Sequence, residues 1–161
     1  MKRTVFALAI LAAAAPAFAE VGPPADVASR ARGAGKIVVA RILDVRAQFE
    51  TNQFGDQLIV SHAVLEVLET LKGASEATVE VAVEGGTVGD ITLKVSDLPS
   101  LHSGERAVFF LEPASGGNKP HGRGRGILKL DDDDRVQGSN LSLSEVKSQV
   151  LGALNQGRGG R

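Results

Sequence analysis

Val79, Val81 and Val83 alternate with Thr78, Glu80, Ala82 and Glu84, the period of a strand that buries one face and wets the other. Strand patterning of this kind recurs along the middle of the chain and constrains its fold more than any other feature. Ile37–Val45 (IVVARILDV) predicts a first strand and Leu58–Leu71 (LIVSHAVLEVLETL) a long second one. They are joined by Arg46–Gln57, which is polar apart from Phe49 and Phe54, so the pair reads as a long antiparallel hairpin. Gly85-Gly86 then turns the chain into Ile91, Leu93 and Val95, which alternate with Thr92, Lys94 and Ser96. The continuous apolar run in Arg106–Leu111 (RAVFFL) suits a strand covered on both sides. Val81 and Val108 are expected to point into one core from facing strands.

Pro113–Gly126 is rich in glycine and has almost nothing to bury, so it reads as a mobile loop. Ile127–Leu130 resumes a short strand, Asp131–Asp134 makes a charged turn, and Arg135–Gly138 returns from it. Ser142 and Glu145 form an S-x-x-E capping box, which satisfies two orphaned backbone donors at the start of a helix. Val146, Val150, Leu151 and Leu154 are expected on its buried face, and Gly157 is placed to stop it. Six or seven short strands with one terminal α-helix make a mostly β domain. The long opening hairpin favours a small, partly closed, antiparallel OB-like β-barrel over a flat sheet.

The first 19 residues, MKRTVFALAILAAAAPAFA, carry a different signal: Lys2 and Arg3, then the apolar run Val5–Ala15, then Ala17-Phe18-Ala19. The run is too short for a bilayer core of about 30 Å, and the small-x-small ending fits signal peptidase. The expected organisation is a signal peptide at 1–19 cleaved after Ala19, a flexible lead at 20–35, a single barrel domain with its helix at 36–156, and a flexible Gly/Arg tail at 157–161. The mature protein is then periplasmic or secreted. Cys is absent from all 161 residues, so lipidation at a first mature cysteine is excluded and no disulfide braces the fold. A hydrophobic core must hold it together, and roughly 120 residues suffice for one. Losing Lys2 and Arg3 takes 18 basic residues to 16 against 19 acidic, a net charge of −3, which is no footprint for nucleic acid.

Four stretches carry a family resemblance: Ile37–Arg46 (IVVARILDVR), Leu65–Gly73 (LEVLETLKG), Glu84–Leu98 (EGGTVGDITLKVSDL) and Ser103–Leu111 (SGERAVFFL). They resemble a group of uncharacterised exported bacterial domains whose strand order is similar to the OB-type barrel of netrin-like modules and tissue inhibitors of metalloproteinases. The resemblance implies a fold and little chemistry. Those inhibitors lay a free N-terminal cysteine on the protease zinc, and with no Cys that mechanism does not carry over.

Motifs for catalysis and cofactors are missing from the pattern. Gly85–Gly89 lacks a Gly-Lys-Ser/Thr ending and precedes a strand, so it reads as a hairpin turn and not a phosphate loop. His62, His102 and His121 are dispersed without metal-ligand spacing, and Asp131–Asp134 lacks the central Gly and distant Glu of a calcium loop. There is no G-x-S-x-G elbow, and Glu66 and Glu69 fall on opposite faces of a strand. The chain is therefore expected to be no enzyme, with no cofactor, no metal and no membrane span.

Two sets of residues remain as binding candidates. Phe49 and Phe54 stand out at the hairpin tip, where they either cap the barrel or form a contact patch for a protein partner. Arg123 and Arg125, in HGRGRG, suit phosphate or carboxylate in fork geometry. The preferred reading is a non-enzymatic exported binding or regulatory module that contacts another extracytoplasmic protein, a protease among the options. The alternative is a surface-associating module that binds polyanionic polysaccharide or headgroups through its Gly/Arg segments. Mass spectrometry of exported material is expected to give Glu20 as the N-terminus. Retention of Met1 in a membrane fraction would contradict the export reading.

Overall fold

The structure, a computed structural model, describes residues 26–52 and 54–158. The expected leader and its cleavage after Ala19 lie outside the described residues, as do positions 20–25 and 159–161. Two 16-residue strands, β1 (Lys36–Thr51) and β2 (Gln57–Lys72), form the long hairpin. β3 (Thr78–Glu84) follows, then a small hairpin of β4 (Gly86–Val88) and β5 (Ile91–Leu93), then β6 (Arg106–Ala114), β7 (Gly117–Pro120) and β8 (Ile127–Leu130). The order β1-β2-β3-β7-β6 returns to β1, because Lys36–Arg41 also pairs antiparallel with Arg106–Leu111. The ring is closed between β3 and β7 by a single parallel pairing, Val81 with Asn118, so the barrel is partly closed and OB-like.

Two apolar layers share the strands β1 and β6. Val38, Ala40, Ile42, Leu65, Val81 and Phe109 fill the barrel. Ile37, Val39, Val108 and Phe110 point the other way, under two helices, α1 (Val27–Gly33) and α2 (Leu143–Arg158). The apolar run of β6 is thus covered on both faces, as its composition requires. Val81 and Val108 are both fully buried, yet they lie in different layers: Val108 faces the helices, not the barrel interior.

α1 corrects the expected flexible lead. Asp26 accepts a hydrogen bond from Ser29 N at 2.9 Å as N-cap, and Val27 and Ala31, four residues apart, bury completely against the outer layer. At the other end Lys72 Nζ donates to the carbonyls of Ala31 (2.8 Å), Arg32 (3.2 Å) and Ala34 (2.5 Å), so a lysine at the close of β2 caps the helix. The capping box of α2 is present, with Ser142 N donating to Glu145 Oε2 at 2.8 Å and Glu145 N to Ser142 Oγ at 3.3 Å. Val146, Val150 and Ala153 are buried, but Leu151 is 51% exposed, because a step of one residue turns it about 100° off that face. Gly157 does not stop the helix, which runs through Arg158.

Three further expectations change. β1 continues to Thr51, since the polar side chains of Arg46, Gln48 and Glu50 leave the backbone ladder to β2 intact. β5 pairs only with β4 and leaves Ile91 58% exposed, so it is no stave of the barrel. The supposed mobile loop Pro113–Gly126 holds the end of β6, all of β7, and a 3₁₀ turn at Arg123–Gly126. Gly116 (φ 81°) and Gly117 (φ 146°) make the tight connection there, and Gly126 packs where a Cβ would meet Phe110 O and the His121 backbone.

Val108→Asp is expected to abolish folding, because the charge would be buried between β6 and the helices without a partner. Lys94→Asp, on the exposed stretch after β5, is expected to change stability by less than about 0.5 kcal/mol. Thermal melts by circular dichroism check both.

Candidate functional site

Past Ile42, β1 loses its neighbour β6 and becomes an open edge. β6 ends its coverage of β1 here: Ile42 N donates to Glu105 O (2.9 Å), Gly104 N donates to Ile42 O (2.8 Å), and Ser103 Oγ donates to Leu43 O (2.6 Å). The pairing with β2 skips Leu43, a β-bulge that bends the strand and turns the Leu43 side chain outward. From Asp44 to the turn at 52–56, β1 keeps β2 as its neighbour but has none on its other side among the described residues; β3 still pairs with β2 from Val60 to Glu66, so this arm of the hairpin is two-stranded only at its tip, Phe49–Thr51 with Gln57–Ile59.

A cleft of about 710 Å³ opens at the root of this arm. Its walls are the inner face of the arm at Val45, Ala47 and Ser61, the β4–β5 hairpin, and the segment from Val95 to Ser103. The hairpin can lie this close because Gly86 (φ 131°) has no side chain, and a Cβ there would collide with Ser61 Oγ and Ala47 Cβ. Ser61, buried, donates to Gly85 O at 2.7 Å and so holds the hairpin onto the arm.

The third wall is pinned from the 3₁₀ turn. Arg123 Nε donates to Asp97 Oδ2 at 2.5 Å, and its Nη2 donates to Asp97 Oδ1 (3.2 Å) and Glu84 Oε2 (3.1 Å). Those hydrogen bonds, Asp97 first, raise the Arg123 pKa above its ordinary value, and Arg123 in turn lowers that of Asp97. Gly124 must be glycine for this contact, since a Cβ would overlap the Asp97 carbonyl. Glu105 supports the same wall by accepting from His102 N (3.0 Å) and from Lys129 Nζ (2.8 Å). Burial pushes the Glu105 carboxyl upward, but the bonds from Lys129 and His102 outweigh it and leave its pKa below the ordinary value.

The candidate residues fall in separate places. Phe49 lies within β1, opposite Ile59, and is 45% exposed, while Phe54, in the turn, is 80% exposed. Neither fills the barrel. Arg123 braces the cleft wall from behind through Asp97 and Glu84, whereas exposed Arg125 lies on the α1 side, where burial first and then Arg125 lower the Arg30 pKa. Each histidine meets its own carboxylate: His62 with Glu50 (2.5 Å), His102 with Glu105 (3.1 Å) and His121 with Glu112 (2.6 Å). Glu66 pairs with Arg41 at 3.6 Å, whereas Glu69 reaches Lys147 on α2. Among the described residues no group of three or more His, Asp or Glu could hold a metal ion, and no helix is long and apolar enough to cross a membrane.

The cleft walls are parts that sequence reasoning missed. Glu84 reads as the solvent face of a strand and Asp97 as a turn residue, and only the ordered Gly/Arg turn shows why they converge. No family model matches the chain, and no curated protein matches it.

The depressed Glu105 pKa makes a signed prediction. Its stabilisation is present above the unfolded value near 4.5 and is lost as pH falls through the lower folded value. Glu105→Gln is therefore expected to lower the melting temperature at pH 7, and the gap to wild type should narrow below about pH 4. Melts across pH 3–7 check this.

Proposed function

We propose that this protein is an exported, non-enzymatic binding or regulatory module that docks another extracytoplasmic protein through the β1–β2 arm. The observation that supports this reading is the exposure of Phe54 (80%) and Phe49 (45%) on a ribbon that stands clear of the core. A cap for the barrel would bury them, and the interior is already filled by Ile42, Leu65, Val81 and Phe109. Two aromatics in a chain with six Phe and no Trp or Tyr are rigid anchors of the kind that dominate interface energies. The nearby hydroxyls suit positioning better than catalysis, because Ser61 and Ser103 both donate to backbone carbonyls.

The polyanion reading loses one of its two arginines to internal pairing, since Arg123 already meets Asp97 and Glu84. The experiment is a pull-down from the extracytoplasmic fraction with wild type and with Phe49→Ala/Phe54→Ala. The double variant is expected to keep its melting temperature within about 2 °C, given that surface changes cost under about 0.5 kcal/mol. It should bind its partner about thirtyfold more weakly, the effect of losing about 2 kcal/mol. Binding by wild type should change little with salt. Equal recovery of the same partners by the variant would overturn the assignment.

A further inference from the structure

The arm leaves a length of strand edge without a neighbour. Asn52 N donates to Asp56 O at 2.9 Å, which fixes the phase of the β1–β2 ladder. Antiparallel alternation then turns the N–H and C=O of Thr51, Phe49, Ala47 and Val45 away from β2. Gly85 N donates to Ile59 O, opposite Phe49, so β2 shows the same phase. Among the described residues no other element hydrogen-bonds the backbone of these four β1 residues. An open edge of this kind is a template for another strand.

The side chains along the edge say which strand fits. Arg46, Gln48 and Glu50 lie on one face; Val45, Ala47, Phe49 and Thr51 lie on the other, toward the cleft. Suppose a second copy is laid antiparallel with Gln48 opposite Gln48. Ala47 then faces Phe49 and Val45 faces Thr51, so every outward-pointing backbone group meets an outward-pointing partner. Arg46 faces Glu50, and two-fold symmetry repeats this pair; within each copy Arg46 also meets Asp44 (2.7 Å) and Glu50 meets Gln48 (2.8 Å) and His62 (2.5 Å), so the cross-copy pairs extend these exposed clusters.

Neighbouring registers are worse. A shift that sets Ala47 opposite Ala47 places Asp44 against Glu50, a like-charge pair, and a shift that sets Phe49 opposite Phe49 removes the Arg46–Glu50 pairs.

We infer that the protein forms a two-fold homodimer by antiparallel pairing of the Val45–Thr51 edges, with Arg46 of each copy opposite Glu50 of the other. This deepens the arm-docking reading and rests on it, naming a second copy as the occupant of the edge and leaving Phe54 at the turn for the other protein. The contact is small, so the association is weak and concentration-dependent.

Sedimentation velocity on the purified chain, in a concentration series up to about 1 mM, reads it. Wild type is expected to shift from monomer to dimer across the series. Arg46→Glu or Glu50→Arg alone puts like charges opposite each other twice and should weaken dimerisation about tenfold. The double variant Arg46→Glu/Glu50→Arg restores opposite charges and should restore the dimer, with melting temperatures recorded for all four proteins. Wild type that stays monomeric throughout overturns the inference. So does a dimer indifferent to the single swaps, or folded variants in which the double swap brings no rescue. The arm-docking reading is tested separately by a pull-down with Phe54→Ala alone, which leaves the Val45–Thr51 edge untouched: unchanged recovery of the partners overturns that reading and leaves the dimer standing.

Discussion

The ladder between Lys36–Arg41 and Arg106–Leu111 is the contact on which the rest of the molecule depends. It closes the ring, and its two strands are the ones that carry apolar side chains on both faces. Inside, Val38, Ala40, Ala107 and Phe109 meet the residues of β2 and β3. Outside, Ile37, Val39, Val108 and Phe110 form the floor on which α1 and α2 sit. A chain without cysteine has no covalent brace, so this two-layer burial must supply its stability, at about 1.5–3 kcal/mol for each large side chain buried. The helices follow from the ladder. Without a barrel wall that is apolar on its outer side, Val27 and Ala31 would have nothing to bury against, and a helix of 7 residues would not persist.

The ladder's length also determines where it stops, and the candidate site begins at that point. β1 shifts register against β2 between Val39 and Ala40 and again between Ile42 and Asp44. Such irregularities sharpen the local twist and bend a strand away from its neighbour. After the one at Ile42–Asp44, the last of three, β6 no longer follows β1, and one continuous strand has passed from closed stave to open edge. The cleft is the space left by that divergence, floored by the arm and walled by segments that β6 would otherwise exclude.

How much of this is legible in the sequence depends on what holds each part. Elements that bury side chains announce themselves: the alternation of Val79, Val81 and Val83, the apolar run of β6, and the capping box of α2 all lead to elements that form. Parts held by backbone or by close approach do not. β7 is only four residues, Gly117–Pro120, and its place in the ring comes from main-chain pairing with β6 and one contact to β3, so its composition reads as loop. α1 offers a single i,i+4 pair within an Ala- and Gly-rich stretch, and its C-terminal cap comes from Lys72, about forty residues along the chain. The alternation at Ile91, Leu93 and Val95 misleads for the opposite reason. The period is right for a strand, but the neighbours needed to cover it are not in the sheet. Of the candidate residues, the exposure of Phe49 and Phe54 is consistent with their setting in a polar stretch, whereas the engagement of Arg123 depends on acids 26 and 39 residues away.

Stability and recognition therefore reside in different kinds of interaction. The core rests on burial, which is large and tolerates no charge. The cleft walls rest on half-exposed ion pairs such as Arg123 with Asp97, which water and salt screen, and on glycines that permit close contact. Interactions of that second kind fix geometry more than they add stability. The arm goes a step further, since Arg46, Gln48, Glu50 and Phe54 take no part in either apolar layer. Side chains there can change with little cost to the fold, so the part of the molecule freest to adapt to a partner is the open edge and tip where, among the described residues, β1 has no neighbour but β2.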